Sequence, residues 1–438
     1  MQHAQRVVIT GVGVISPIGC TKEVFWESLW QGRSGVRPLQ GLPAGVLPAS
    51  YGGEVLDFQG KAEEFLPVDK EQTKAIRKQL KLMCRESQMG VAAAQRAMAD
   101  AGLRPGQFDP ERIGVSFGSD YMLTMPEDFI EPIQACINTD GQFEFARWAL
   151  DGMPKLEPLW LLKYLPNMPA SHLAIFNDLR GPNNSITQRE ASAHLAVGEA
   201  FEILHRGDAE VMVAGSTGTR LHPMKAIHVF QQEELADGRF SPSEASRPFD
   251  RDRAGKVLGE GAGAVVLETL DHARARGARI YAEVLAAASH AVADPRLLAR
   301  RDRAIQLVLQ SLLQRAGLSP EQIGHVHAHG LSTRSCDREE AQAIHAVFGQ
   351  RSRPVPVVAA KSYFGNLGAG SGLVELISSL LALVHGQLFA TLNYKTPDPE
   401  CPVHVVTEAG HPAGRSFIAV SVTPQGQASG LLIRKYEE

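Results

Sequence analysis

Two side chains in this sequence stand where a predicted element begins or ends and could do chemistry there, Glu190 and His329. Glu190 lies where the chain enters a predicted helix over residues 191–206. The free N–H groups and the dipole of a helix N-terminus favour negative charge, so a carboxylate there is stabilised and could serve as a general base. His329 follows a predicted strand over residues 325–328, and an imidazole at a strand end can donate a hydrogen bond to a developing oxyanion.

Each of these residues also has a purely structural interpretation. Glu190 could pair with Arg189 and cap the helix without taking part in chemistry. His329 could be a buried histidine whose ring is hydrogen-bonded by its neighbours. Residue type and position leave both interpretations open.

The elements that must position these residues follow an alternating pattern. Short β-branched runs alternate with helical patterns along the chain, which is typical of an α/β fold. The sequence predicts strands at residues 6–15, 113–117, 211–214, 262–267, 325–328 and 417–422. It predicts helices over residues 70–102, as one or two amphipathic segments, and over residues 191–206, 303–316 and 372–384.

The composition indicates a compact protein and excludes several classes. The chain has 438 residues, 44% hydrophobic and 21% charged, and its net charge of −4 gives no reason to expect nucleic acid. The five cysteines form no CxxC pair, and no zinc spacing occurs, so we expect no metal, no disulfide framework and a cytoplasmic location. The longest apolar run, residues 376–392, contains His385 and Gln387 and is too polar to span a membrane.

Six segments carry a resemblance to a known family. They are residues 7–13 (VVITGVG), 181–194 (GPNNSITQREASAH), 247–250 (RPFD), 259–263 (GEGAG), 327–330 (HAHG) and 361–366 (KSYFGN). In these segments the chain closely resembles the β-ketoacyl-[acyl-carrier-protein] synthases. The resemblance implies a thiolase-like fold, with two similar α/β halves in a layered αβαβα arrangement. We expect the halves to span residues 1–270 and 271–438.

The resemblance also implies roles for individual residues. In this family a nucleophilic cysteine occupies the position of Glu190. His329 matches one of the two family histidines, but Asn366 stands at the position of the second, and an amide cannot take or give a proton. Lys361 and Glu375 match the supporting ion pair beneath the site, although a purely structural salt bridge would need the same two residues.

Other positions concern substrate entry. Thr333 keeps a hydroxyl where the family contacts pantetheine, whereas Leu331 replaces a second one. Gln425 takes the place of the aromatic residue in the family's gating loop. Residues 121–169 form a longer stretch than is usual in the family, and we expect it to remodel the acyl pocket or the dimer edge. The resemblance implies no bound cofactor, because the phosphopantetheine arm of an acyl carrier protein brings the substrate.

A run of basic residues is a candidate docking surface for that carrier protein. The basic residues fall on one face of a predicted helix: Lys70, Lys74, Arg77, Lys78, Lys81 and Arg85. Acyl carrier proteins are acidic, so such a face could steer one towards the site. A solvated helix face is the alternative. The resemblance further implies a homodimer, or a heterodimer with an active ketosynthase.

Three functions remain open at this point. We expect an acyltransferase that passes the acyl group from a carrier-protein thioester directly to a small amine, with Glu190 as general base and His329 polarising the carbonyl. The first alternative is a catalytically silent subunit, like the chain-length factors that pair with an active ketosynthase. The retained residues count against it, because a silent partner has no need of them: His329, Lys361, Glu375 and Thr333. The second is a malonyl-carrier-protein decarboxylase, against which Asn366 counts. Ordinary condensation is not expected without the cysteine.

Overall fold

The structure is a computed structural model that describes residues 5–42, 45, 47–65 and 70–437. Within these residues, eleven strands form one continuous sheet, and β2 and β3 form a separate pair. The strands are β1 (Val7–Ile15), β2 (Arg37–Pro38), β3 (Tyr51–Gly52), β4 (Ile113–Ser119), β5 (Asn183–Thr187), β6 (Val211–Thr219), β7 (Glu260–Thr269), β8 (Ala282–Ala291), β9 (His325–His327), β10 (Pro356–Val358), β11 (His404–Val405), β12 (Ser416–Val422) and β13 (Gln427–Lys435).

The sheet consists of two halves with the same strand pattern. In the first half the order is β5-β4-β6-β7-β1, where β4 runs parallel to β5 and β6, and β7 runs antiparallel to β6 and β1. In the second half the order is β10-β9-β12-β13-β8 with the same directions, and β11 extends it at the edge. An antiparallel pairing of β1 with β8 joins the halves.

Helices cover both halves and fill the space between them. They are α1 (Lys22–Trp30), α2 (Lys70–Gln79), α3 (Arg85–Asp100), α4 (Ile130–Ala135), α5 (Met168–Asn177), α6 (Ser192–Arg206), α7 (Pro223–Gln232), α8 (Pro242–Ala245), α9 (Leu270–Ala275), α10 (Arg301–Ala316), α11 (Arg334–Phe348), α12 (Lys361–Phe364) and α13 (Ser371–His385). Helices α6 and α13 contact strands of both halves, α3 packs on the first half, and α10 packs on the second.

This arrangement is the five-layered thiolase-like fold that the resemblance implied. The middle layer explains why α13 is so apolar. The predicted run of residues 376–392 was too polar to span a membrane, but the overlapping segment 368–385 is long and apolar enough, and 89% of it is buried inside the protein. Leu373, Ile377 and Leu380 belong to the largest core cluster, together with apolar residues of α6. The apolar run of α13 is therefore accounted for by the core of the protein.

The predicted strands and helices are confirmed, with ends that shift by a few residues. The sequence did not predict β5, whose polar run NNSIT lies exposed or half-buried at the sheet edge. It also gave no bounds for β8 or α11. The boundary predicted between residues 270 and 271 falls at the start of α9, which connects β7 to β8.

Candidate functional site

Glu190 lies at the turn between β5 and α6, at the helix N-terminus where the sequence placed it. A single 3-10 turn, Arg189–Ala191, connects the strand to the helix. Arg189 has a φ of 50°, a left-handed conformation that is uncommon for a residue with a Cβ atom. The hydroxyl of Ser192 donates to the carbonyl oxygen of Ser119 at 2.9 Å and so fixes the turn to the end of β4. Glu190 is 1% exposed.

A buried arginine neutralises this carboxylate. Nη2 of Arg220 donates to Oε1 of Glu190 at 2.7 Å, and Nη1 of Arg220 lies 2.8 Å from Oδ2 of Asp120. Nε of Arg189 lies 3.5 Å from the second oxygen of Glu190. Burial alone would raise the pKa of Glu190, but the charges of Arg220 and Arg189 outweigh it and hold this pKa well below its usual range. The carboxylate is therefore ionised over the physiological pH range.

The strand order explains how these three residues meet. Asp120 directly follows β4, Arg220 directly follows β6, and Glu190 comes three residues after β5. Because these strands are parallel neighbours, their carboxyl ends lie at one edge of the sheet. Sequence reasoning missed Asp120 and Arg220, although a charged residue directly after each of two buried strands was a signal that could have identified them.

Two more ionic residues extend the network towards the surface. Glu233 accepts a hydrogen bond from Nη2 of Arg189 at 2.6 Å and pairs with Lys256. Burial lowers the pKa of Lys256, and the charges of Glu233 and Glu190 oppose that shift. Sequence reasoning missed Glu233 and Lys256 as well. A chain of alternating charges thus runs from Asp120 to Lys256 through the position of Glu190.

The second half of the protein contributes His329. This residue lies two positions after β9, beside Lys361, which begins α12 after the neighbouring strand β10. Nζ of Lys361 lies 3.2 Å from Nδ1 of His329 and 2.8 Å from its carbonyl oxygen, and it pairs with Glu375 of α13. Burial and the charge of Lys361 keep the pKa of His329 well below its usual range. The ring is therefore neutral.

The hydrogen bonds of His329 assign its free proton. A lysine Nζ can only donate, so Nδ1 accepts and Nε2 carries the hydrogen. Nε2 is buried and has no hydrogen-bond partner. A buried donor without a partner is costly, and a carbonyl oxygen entering the site would satisfy it. Asn366, in contrast, is already engaged, because its Nδ2 donates to Oε1 of Glu190 at 3.2 Å.

Two acidic side chains of α11 hold the loop that carries His329. Glu340 accepts from the backbone N–H groups of His329 at 2.6 Å and Gly330 at 2.8 Å. Asp337 accepts from Leu331 N at 2.9 Å and Ser332 N at 3.0 Å. Burial raises the pKa of Glu340 to about 8 and that of Asp337 to about 6. Four backbone donors thus fix the loop between His329 and the start of α11.

A cavity of about 120 Å³ lies between Glu190 and His329. Thr333 lines it, and its hydroxyl is buried without a partner. Pro424 also lines it, whereas the predicted gating residue Gln425 is exposed and does not. Cys336 is the cysteine in the lining, but burial raises the pKa of its thiol well above the usual value, so it stays protonated. The cavity therefore holds a free hydrogen-bond donor and a free hydroxyl, but no thiolate.

The predicted basic face is only partly as expected. Its exposed members all belong to α2 and the short turn after it: Lys70, Lys74, Arg77, Lys78 and Lys81. Arg77 pairs with Glu63. Arg85 was wrongly included, because it begins α3 and turns inward, where it donates to Glu260 at 2.9 Å and to the carbonyl oxygen of Phe58 at 2.7 Å.

Residues 121–169 form a surface of short helical turns with many exposed apolar side chains. The most exposed are Phe145 at 75%, Leu150 at 83% and Leu159 at 64%. Ile130 and Ile133 of α4 are exposed beside them. Soluble monomers rarely expose so many large apolar residues in one stretch, so this surface is suited to contact with another protein.

Comparison with known proteins identifies the family. The N-terminal domain of β-ketoacyl synthases matches residues 4–273, and their C-terminal domain matches residues 281–395. The chain belongs to the β-ketoacyl synthase family. It is 33% identical to the 3-oxoacyl-[acyl-carrier-protein] synthase 2 of Synechocystis sp., over 92% of this chain and 91% of that protein. It is equally identical, with the same coverage, to the tetracenomycin polyketide synthase ketoacyl synthase alpha subunit of Streptomyces glaucescens.

Solved ketosynthases have the same fold. The ishigamide ketosynthase/chain length factor gives a TM-score of 0.84 at 28% identity, with 99% of this chain and 100% of that chain covered. A type II polyketide synthase acyl-carrier protein in complex with its ketosynthase gives a TM-score of 0.83 at 25% identity and the same coverage. Family members with this fold therefore work with acyl carrier proteins in fatty-acid and polyketide synthesis.

The buried network predicts a pH-dependent stability that depends on Arg220. Arg220→Met leaves Asp120 and Glu190 buried without their main counter-charge, so we expect a loss of about 3–5 kcal/mol of folding free energy. In the wild type the pKa of Glu190 lies below its unfolded value, so its ion pair stabilises the protein above about pH 4.5, and this is lost on further acidification. In Arg220→Met, burial raises the pKa of Glu190, so Glu190 becomes protonated as the pH falls from 8 to 5.5. The loss of folding free energy relative to the wild type should therefore become smaller over this range.

Thermal unfolding at both pH values measures this effect. The matched control is Arg239→Met, because Arg239 is an exposed arginine that pairs with Asp237 and should change the melting temperature little. Equal melting curves for the two variants would contradict the proposed dependence on Arg220.

Proposed function

We propose that this chain is a non-condensing member of the β-ketoacyl synthase family that acts with an acyl carrier protein as the partner subunit of a condensing ketosynthase. The observation that carries this proposal is the buried ion pair between Glu190 and Arg220, at the position where the resemblance to the family implies a nucleophilic cysteine. An ionised carboxylate could accept an acyl group only by forming a mixed anhydride, which is much less stable than the thioester it would come from. The site therefore lacks an acyl acceptor.

The same ion pair disfavours Glu190 as a general base. Proton abstraction is efficient when the pKa of the base lies near the working pH, whereas the pKa of Glu190 is held well below its usual range. An ammonium group would also approach Arg220, Arg189 and Lys256. Decarboxylation is disfavoured too, since a malonyl carboxylate would have to enter beside an ionised carboxylate.

The side of the cavity formed by Thr333 and His329 supports carrier binding. A phosphopantetheine arm presents amide groups, and the unpartnered hydroxyl of Thr333 could bond to one of them. The neutral His329, with Nε2–H free, could bond to the thioester carbonyl. The five cysteines are all free and buried, which supports a cytoplasmic, reducing location.

We test this function with the purified chain, acyl-carrier protein and malonyl-carrier protein. The chain alone should form no 3-oxoacyl product, no acetyl-carrier protein and no covalent acyl adduct, as read by mass spectrometry of products and intact protein. Co-expression with a cysteine-containing ketosynthase of the source organism should yield a stable complex whose product length differs from that of the ketosynthase alone. A 3-oxoacyl product or an acyl adduct from the chain alone would refute the proposal.

The partner subunit should dock on the edge of β5. Among the residues that the structure describes, β5 pairs with β4 alone, so one row of its backbone groups is open there, and the apolar surface of residues 121–169 belongs to the same half of the fold. We expect a dimer, either of two copies or with a ketosynthase, with a mass about twice that of one chain in the homodimer. Light scattering at micromolar concentration measures this mass.

A double substitution checks the surface. Phe145→Ser combined with Leu150→Ser should weaken the dimer at least about tenfold, because it removes exposed apolar contacts. Val24→Ser, which changes an exposed apolar residue on α1, should leave the dimer intact. A stable monomer of 47.4 kDa for the wild type, with and without the ketosynthase, would refute the dimer.

The second candidate function is direct acyl transfer from the carrier thioester to a small amine, and the unpartnered Nε2–H of His329 favours it. If the chain transfers acyl groups, His329→Ala should lower the rate about 10²–10³-fold through loss of an oxyanion donor. Because Glu190 stays ionised, the rate between pH 6 and 9 should follow the free-amine fraction of the acceptor. Transfer that is unaffected by His329→Ala, or no transfer with any of a panel of amino acids, would exclude this candidate.

A further inference from the structure

A second cavity, of about 640 Å³, lies in the first half of the protein and shares no lining residue with the cavity between Glu190 and His329. Its volume falls within the range of about 300–1,000 Å³ that is typical of small-molecule sites. Three parts of the described chain form most of its wall: the loops that follow β2 and β3, the start of α3, and the turn from β6 into α7. We call it the α3 cavity, and it is separate from the candidate site.

Arg85 holds the wall of the α3 cavity in place. Its Nη1 donates to the carbonyl oxygen of Phe58 at 2.7 Å, and its Nη2 donates to that of Val55 at 2.8 Å. The guanidinium also pairs with Glu260 at 2.9 Å. These bonds fix the loop after β3 to the start of α3. The wall is therefore formed before a ligand binds, and little conformational entropy is lost on binding.

The charges along this wall leave one carboxylate without a basic partner. The basic residues in and behind the wall are each neutralised by an acidic residue: Arg85 by Glu260, Lys163 by Asp128 and Lys225 by Glu86. Glu54 lines the cavity and accepts a hydrogen bond from the backbone N–H of Gln40 at 3.0 Å, but within the described chain it forms no ion pair. The wall therefore carries an excess negative charge, which favours a cationic ligand over an anionic one.

His222, which is 7% exposed, lines the same wall and supplies a free hydrogen-bond donor. Its Nδ1 accepts from the backbone N–H of Met224 at 3.2 Å, so Nε2 carries the ring proton. Burial lowers the pKa of His222, although the charge of Glu86 and the carbonyl oxygen of Leu123 oppose this shift, so the ring is neutral. Nε2 is buried and has no hydrogen-bond partner. An oxygen atom of a ligand would satisfy this donor.

We propose that the α3 cavity binds a small ammonium compound that has an apolar body and a carbonyl or hydroxyl oxygen. The ammonium group pairs with Glu54, and the oxygen accepts a hydrogen bond from Nε2 of His222. The apolar body packs against the apolar side chains of the wall, which include Leu39, Val55, Leu56, Phe58 and Leu221. Because the α3 cavity shares no lining residue with the candidate site, this inference goes beyond the function proposed above and does not depend on it.

The test is the binding of phenylalanine β-naphthylamide to the full-length protein at pH 6.5, followed by the fluorescence anisotropy of the naphthyl group. This probe has an ammonium group, a carbonyl oxygen and an apolar body, and its N-acetyl derivative lacks the charge. The amine should bind at least about tenfold more tightly than the N-acetyl derivative, because a charge-assisted hydrogen bond to Glu54 is stronger than a neutral one. Glu54→Gln should remove this difference and leave the melting temperature unchanged.

Matched variants locate the probe in the cavity. Asp57→Asn removes an exposed acidic residue of the same loop that does not line the cavity, so it should leave the affinity for both probes unchanged. His222→Phe removes the donor and should weaken the binding of both probes about fivefold. Leu56→Trp fills the cavity and should abolish the binding of both probes. Gln59→Trp, at an exposed position of the wall, repeats this test if Leu56→Trp lowers the melting temperature.

Four results would overturn the inference. They are equal affinity for the two probes, a preference for the amine that persists in Glu54→Gln, binding that survives the tryptophan variants, and no binding of either probe at millimolar concentration. Unchanged affinity in His222→Phe would refute the contact between His222 and the ligand oxygen. None of these results bears on the carrier-dependent function, which concerns the other cavity.

Discussion

The site depends on the charge balance around one buried carboxylate. An ion in a protein interior is stable only if counter-charges and hydrogen bonds replace the water it has lost. Glu190 receives these from Arg220, Arg189 and Asn366, and Arg220 in turn requires Asp120. These residues are interdependent, because removal of any one leaves a buried neighbour without a counter-charge or a hydrogen bond. The chemistry open to the site follows from this balance, which keeps Glu190 ionised and engages its Oε1, while its Oε2 accepts no hydrogen bond.

The other side of the cavity has the opposite character. His329 is neutral, its ring is oriented by Lys361, and its free N–H has no protein partner. Its loop is fixed by backbone hydrogen bonds to Asp337 and Glu340. A side chain held so firmly, with an unsatisfied donor, is suited to a ligand that supplies an acceptor. The first half of the protein thus provides most of an ionic network, and the second half provides a free donor.

This contrast defines the position of the protein within its family. The loop carrying His329 offers a free N–H donor to a ligand, whereas Glu190 on the facing side is an ionised carboxylate held by Arg220. The function proposed above, a subunit that acts beside a condensing partner, is compatible with both properties. The proposed partner would meet the edge strand β5 and the exposed apolar surface of residues 121–169.

Local patterns in the sequence determined the elements and several positions within them. The alternation of apolar runs predicted the strands and helices, because periodicity reports directly which face is buried. The family motifs identified Glu190, His329, Asn366, Lys361 and Glu375, and the structure brings these residues together. The polar strand β5 was not predicted, since an exposed edge strand lacks an apolar alternation.

Only the tertiary structure decided which charges meet. Glu190 and Arg220 are 30 positions apart, and Asp120 is further away, so their contact depends on the order of β5, β4 and β6 in the sheet. Arg85 shows the same limit: a 3-10 turn at Leu80–Leu82 interrupts the helix, so the periodicity of α2 does not continue into α3 and Arg85 faces inward. Sequence periodicity holds within one element, whereas ion pairs form between elements, and the packing of those elements determines their partners.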